Sequence, residues 1–154
     1  MTDPSVELRE ILDADLPTLF EHQADPEASA MAAFPSRTWD AFFEHEAKIR
    51  ADPTTITRTI VAHGEVVGSI ASWQTDGERD VGYWIGRAHW GKGIASAALR
   101  AFLHVDRTRP LSAHVAEHNV GSRRVLEKCG FVLDHEERAD DGVLEQIFVL
   151  HPPA

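Results

Sequence analysis

The chain has 154 residues, 43% of them hydrophobic and 26% charged, with a formal charge of −10. That length and balance suit one soluble domain over residues 1–154 with a buried core, and the acidity argues against nucleic acid as main partner. No apolar run reaches membrane-span length, the N-terminus is acidic rather than basic and apolar, and the lone Cys129 excludes an internal disulfide, so a cytoplasmic protein is expected.

Val6 to Leu12 alternates as a first strand. Asp13 and Asp15 offer N-caps to a short helix with Leu16, Leu19 and Phe20 on its apolar side. Asp25 to Pro35 reads as irregular and carries exposed Met31 and Phe34. A mobile apolar segment here could line a substrate pocket; a second helix packed in the core would use the same residues. Ser36 or Thr38 then caps a helix running to about Arg50, with Trp39, Phe42, Phe43, Ala47 and Ile49 as its core set. Asp52-Pro53 ends it. Thr55 to Ala62, Val66 to Trp73 and Asp80 to Ile85 read as three antiparallel strands, joined by turns at His63-Gly64-Glu65 and Thr75 to Glu78.

The stretch Val81 to Ala98 organises the rest. A strand ends at Ile85, Gly91-Lys92-Gly93 turns, and an Ala-rich helix starts at Ile94. Unpaired helix-start amides and the positive end of the helix dipole make such a turn an anion site. A plain tight turn would use the same glycines. Gly86 to Gly93 is one residue short of a Walker A loop, because Gly93 stands where a magnesium-holding Ser or Thr is required. The dinucleotide fingerprint also fails, with Ser96 where a third glycine would stand. A phosphate-bearing ligand without a metal is therefore expected. Charge agrees: Arg79 to Lys128 holds nine basic and four acidic residues, while the remainder nets −15. A basic middle suits an anionic ligand and acidic flanks suit a cationic one, although acidic flanks are also ordinary solvated surface.

The helix runs from Ile94 to about Val105, and Leu111 to Ala116 is a strand. Asn119 caps a helix over Ser122 to Cys129 that ends at Gly130. Phe131 to Leu133 and Val143 to Leu150 are the last strands. The order β α α β β β α β α β β describes an α+β domain on one mixed sheet. His114 to His118 spells an inverted zinc-protease motif. Four residues along a strand hold the two rings roughly 13 Å apart, too far to share an ion, so no metal is expected. Cys129, on an apolar helix face, reads as core rather than nucleophile.

The pattern V-G-Y-W-I…W-G-K-G-I-A-S-A-A-L, followed by N-x-x-S-R-R-V-L-E-K-C-G-F from Asn119 to Phe131, resembles the GNAT superfamily of N-acetyltransferases. The likeness covers essentially the whole chain and leans to the ribosomal-protein N-terminal acetyltransferase branch. It implies a mixed, mostly antiparallel sheet of six or seven strands in a three-layer arrangement, with a splayed central pair and about four helices. It implies acetyl-CoA as co-substrate, its pyrophosphate held by Gly91, Lys92, Gly93, Ile94, Ala95 and Ser96. Trp90 replaces the usual Gln or Arg of the family's loop. The pantetheine arm would pair with Trp84 and Ile85, and Asn119 and Ser122 would hold its far end. The family often has a Tyr where this chain has Leu126.

The implied reaction is direct attack of a neutral amine on the thioester. Asp80 is the first candidate base and Glu117 the second, with Asn119 beside them. Met31, Phe34 and Tyr83 are candidates for the acceptor pocket. Strand alternation puts Tyr83 and Asp80 on opposite sheet faces. The acceptor would be a primary amine, on a small molecule or a protein N-terminus, and the protein a monomer or homodimer acting on no nucleic acid or membrane. A non-catalytic CoA-binding or sensing domain, and a nucleotide-phosphate binder, are the alternatives.

Overall fold

The computed structural model describes residues 5–33 and 35–153. Seven strands form one sheet in the order β1-β2-β3-β4-β5-β7-β6. They are β1 (Glu7–Arg9), β2 (Ile56–Ala62), β3 (Glu65–Thr75), β4 (Glu78–Ile85), β5 (Leu111–Ala116), β6 (Val132–Arg138) and β7 (Leu144–Leu150). Every neighbouring pair is antiparallel except β4 with β5. Among the described residues there are five α-helices: α1 (Leu16–Ala24), α2 (Pro26–Ala32), α3 (Trp39–Ala51), α4 (Ile94–Val105) and α5 (Val120–Lys128). None of them is long and apolar enough to cross a membrane.

The mixed sheet with helices on both faces agrees with the expected fold, with one correction. Residues 26–32, read as irregular, form α2. The local reason is plain: Asp25 accepts from the amides of Glu27 and Ala28, and Pro26 occupies the first helical turn. Phe34 lies outside the described residues. Two further expectations fail at the edges. Strand β6 runs on to Arg138 although every residue in it is exposed, because β7 supplies its hydrogen bonds. In α3 only Phe42 is buried, whereas Trp39 and Phe43 are 39% and 49% exposed.

The main core lies between the sheet and helices α4 and α5. Ile94, Ala98, Leu99 and Phe102 of α4 and Leu126 of α5 pack on Ile60, Ile70, Val81, Leu111 and Phe148. The alanines let α4 approach the sheet closely. A smaller cluster of Ile11, Leu16, Leu19 and Phe42 seats α1 and α3 on the other face. In the cross-strand pairs Ser69–Trp84, Ala71–Gly82 and Trp73–Asp80, the side chains other than the bare Gly82 turn toward the face of α1 and α3. Tyr83 turns the other way, where its hydroxyl meets Ser122 Oγ of α5 at 2.7 Å.

Candidate active site

Strands β4 and β5 share a single bridge, Asp80 with Ser112. β4 otherwise pairs along its length with β3, and β5 with β7. Each strand keeps its outer partner, so the gap between them is open toward Ile85 and Ala116. The chain leaves β4 through Gly86 and a 3₁₀ turn at Arg87–His89. Trp90 then reaches back, its indole Nε1 donating to the Ile85 carbonyl at 2.8 Å. That bond satisfies the last carbonyl of β4, and it accounts for Trp at a position where the resemblance implies a ligand-holding donor.

Gly91 and Gly93 both have left-handed φ values, +75° and +78°, which only glycine adopts without strain. Gly93 is the N-cap of α4 and has no side chain to offer its amides. The first-turn N–H groups of α4 therefore have no intrahelical partner, and the helix dipole adds partial positive charge. Open space lies above Gly91.

A cavity of about 490 Å³ connects these features. Tyr83, Trp84 and Ile85 form one side, Gly91 and Gly93 to Ser96 the end, and Asn119 to Ser122 the opposite side. Nearly all of the residues expected at the cofactor thus come together. Lys92 does not line the cavity, and it is exposed. Asn119 Oδ1 already accepts from the Ser122 amide as the cap of α5. Met31 lines this cavity through α2. Arg124, Lys128 and His118 also line it, although the sequence reading placed none of them at the cofactor; the first two only become neighbours of the glycine turn when α5 packs beside α4.

A second cavity, about 660 Å³, lies on the other face between α1, α3 and strands β3 and β4. Leu19, His22, Phe42, His45 and Glu46 face Ser69, Ala71, Trp73 and Gly82 across it. Ala32, Tyr83 and Trp84 line both cavities. The Trp73 indole lies over Gly82, where an added Cβ would come within 2.9 Å of it. Burial pushes the Glu46 carboxyl up and the His22 and His45 imidazoles down.

The two sequence candidates for a base line neither cavity. Asp80 is 7% exposed, and its Oδ1, 3.9 Å from His114 Nε2, has no hydrogen bond. Burial pushes its carboxyl up. Glu117 is exposed at the end of β5, its amide donating to the Leu144 carbonyl. Glu78, Asp80 and His114 each bring one possible ligand atom within 4.8 Å of the others, a grouping that no spacing in the sequence announces. His118, the other histidine of the zinc-like motif, instead bonds the Ala30 carbonyl at 2.9 Å.

Residues 5–132 match the family described as "Acetyltransferase (GNAT) domain". Over 55 residues the chain is 42% identical to the probable N-acetyltransferase YjcK of Bacillus subtilis, a match covering 33% of this chain and 30% of that protein. The fold is similar to that of a spermidine N-acetyltransferase from Vibrio cholerae bound to CoA and spermine, with TM-score 0.81, 16% identity and 94% and 95% of the two chains covered. It is also similar to the aminoglycoside acetyltransferase AAC(6')-Ib with coenzyme A, at TM-score 0.76, 20% identity and coverage of 93% and 94%. RimL, a ribosomal-protein α-N-acetyltransferase solved with CoA, aligns at TM-score 0.78 and 16% identity over 94% and 92%.

Proposed function

The chain belongs to the GNAT acetyltransferase family, and on that premise we propose that residues 1–154 form one domain transferring an acetyl group from acetyl-CoA to a primary amine by direct attack. The observation that carries this reading is the single bridge between β4 and β5, with a cavity on each face meeting at Trp84. The residues fit the co-substrate. Uncapped amides from Ile94 to Ser96 and the open turn at Gly91 suit a pyrophosphate, with Arg124 and Lys128 adding charge. The gap beside Trp84 suits an extended arm, and Asn119 and Ser122 would flank its far end.

Acetyl-CoA supplies the thioester carbonyl that the amine attacks. Main-chain N–H groups near Trp84 and Ile85 would stabilise the oxyanion, and the two cavity walls would position the partners. Tyr83 is held neutral, its phenol pushed up to about 12 by burial; beside Ser122 it can donate a hydrogen bond to a departing thiolate, not a proton. A thiol of pKa about 8.5 leaves at modest cost without one. Asp80 and Glu117 remain the sequence's candidates for a base, and from outside the cavities either would act through water. The domain would work in the cytoplasm as a monomer or homodimer, without nucleic acid or membrane.

The competing reading, a CoA-binding domain without turnover, draws on Leu126. It stands where the family often has a Tyr, and it is 1% exposed in the core. One experiment separates the two: thermal stability with acetyl-CoA, then thiol release on a panel of amines and N-terminal peptides. Stabilisation with turnover supports the transferase, stabilisation without turnover supports the sensing domain, and no stabilisation at millimolar acetyl-CoA refutes both.

A further inference from the structure

Among the described residues, six buried side-chain atoms lack a hydrogen-bond partner, and three of them, His22 Nδ1, Glu46 Oε2 and Trp84 Nε1, are on residues that line one cavity. A buried polar atom left unpaired costs about 1–3 kcal/mol. All three residues line that cavity, so the unmet hydrogen-bonding capacity of this face of the sheet is concentrated around it. We propose that this second cavity holds the acceptor, that the acceptor is a primary monoamine with a ring-bearing apolar body, and that Glu46 both anchors its ammonium and takes its proton. The inference rests on the acetyl-transfer reading for the chemistry, but not for the binding.

The walls set the body of the ligand. Leu19, Phe42, Ile49, Trp73 and Trp84 present apolar and aromatic surface around the cavity, which suits a ring more than a hydrated chain. The charges set the count of amines. Glu46 and Asp52 are the carboxylates lining the cavity, and Asp52 Oδ1 already accepts from the Thr54 amide and hydroxyl, each at 2.8 Å. With Asp52 engaged by Thr54, Glu46 is the carboxylate there left to meet an ammonium, whereas a polyamine would call for several.

Other groups facing Glu46 leave room for that charge. Arg37 and Arg50 pull its carboxyl down against the larger effect of burial, and Arg50 is itself bound to Asp13 at 2.8 Å. His22 and His45 are held toward the neutral form. A carboxylate raised by burial is also a stronger base than an exposed one. The ammonium gives one proton to the Glu46 carboxylate. The amine's electron pair then forms the C–N bond as the C–S bond breaks. The sulfur leaves with its electron pair, and the second N–H proton reaches it through water.

The test uses phenylethylamine, spermidine and an alanine-initiated peptide with wild type, Glu46→Gln, Glu46→Asp and Asp80→Asn. Binding is read by tryptophan fluorescence, since Trp73 and Trp84 line the cavity, and turnover by thiol release across pH. Expected are preference for phenylethylamine, about tenfold weaker binding in Glu46→Gln, and about hundredfold lower kcat/KM with the acid limb of the pH profile lost. Glu46→Asp should recover part of both. Preference for spermidine or the peptide, or an acid limb abolished by Asp80→Asn and kept by Glu46→Gln, overturns the inference. If acetyl-CoA neither binds nor reacts while phenylethylamine still binds through Glu46, the acceptor site stands and the transferase reading falls. If acetyl-CoA binds but Glu46→Gln changes nothing, the reverse holds.

Discussion

Two kinds of buried polar region coexist in this protein. At Asp15 and at Asp106 the carboxylates are saturated. Asp15 accepts from Arg9 at 2.7 and 2.8 Å, from Thr59 Oγ1 at 2.8 Å and from the Leu12 amide at 2.8 Å, tying β1, α1 and β2 together. Asp106 accepts from Ser72 at 2.5 Å, Arg79 at 2.9 Å and the Thr108 amide at 3.0 Å, tying the end of α4 to β3 and β4. In the second cavity His22, Glu46 and Trp84 each keep a buried atom without a partner. The contrast teaches that burial alone does not mark function. A satisfied buried charge fastens elements together, whereas an unsatisfied one leaves hydrogen-bonding capacity unmet.

The largest break should come from the saturated region. Asp106→Ala leaves the Arg79 guanidinium, 8% exposed, without its counter-ion and should lower unfolding free energy by about 3–5 kcal/mol in urea. Acid probes the same centres. The Arg9 hydrogen bonds hold the Asp15 carboxyl down to about 2. Burial pushes Asp106 up, but Ser72, the Thr108 amide and Arg79 outweigh it and bring it to about 2. Both groups are therefore ionised more readily folded than unfolded. Their contribution is complete above the unfolded carboxylate pKa near 4 and is lost as pH falls toward about 2, so urea midpoints should drop between pH 5 and pH 2.

Gly93→Val probes the glycine turn. Acetyl-CoA at about a hundred times its Kd should stabilise the wild type by about 2.7 kcal/mol, and the variant, strained at a φ of +78°, should show no such increment by thermal shift. Trp90→Phe removes the indole bond to the Ile85 carbonyl and should cost about 1 kcal/mol. The smallest effect sharpens the contrast most. Glu46→Leu removes an unpaired buried carboxylate and should leave stability within about 0.5 kcal/mol of wild type, or raise it slightly. A loss comparable to that of Asp106→Ala would erase the distinction between the two regions.

Much of the fold is legible residue by residue. Helix α4 and strand β5 have the bounds their patterns predict, Ile94–Val105 and Leu111–Ala116, because a strong apolar face and a β-branched run each report local geometry. The first turn of α2 was also written locally, in Asp25 followed by Pro26, but its alanines and lone Met31 make no amphipathic stripe. The exposed β6 has no pattern of its own and exists through its partner strand. Trp39 and Phe43 share a helical period with Phe42, yet α3 spans a cavity, so periodicity overstates its buried face.

For the candidate site the division is similar. Sequence alone determined the glycine turn, the helix start behind it and the strand before it, since φ > 0 and uncapped amides are properties of a few consecutive residues. Tertiary structure alone decided that β4 and β5 part after one bridge, that Trp90 turns inward to β4, and that Asp80 and Glu117 lie outside both cavities. It alone brought His22 and Glu46, on separate helices, to the same space as Trp84. Such groupings depend on how helices settle across a sheet, and that balance is set by contacts between residues far apart in the chain.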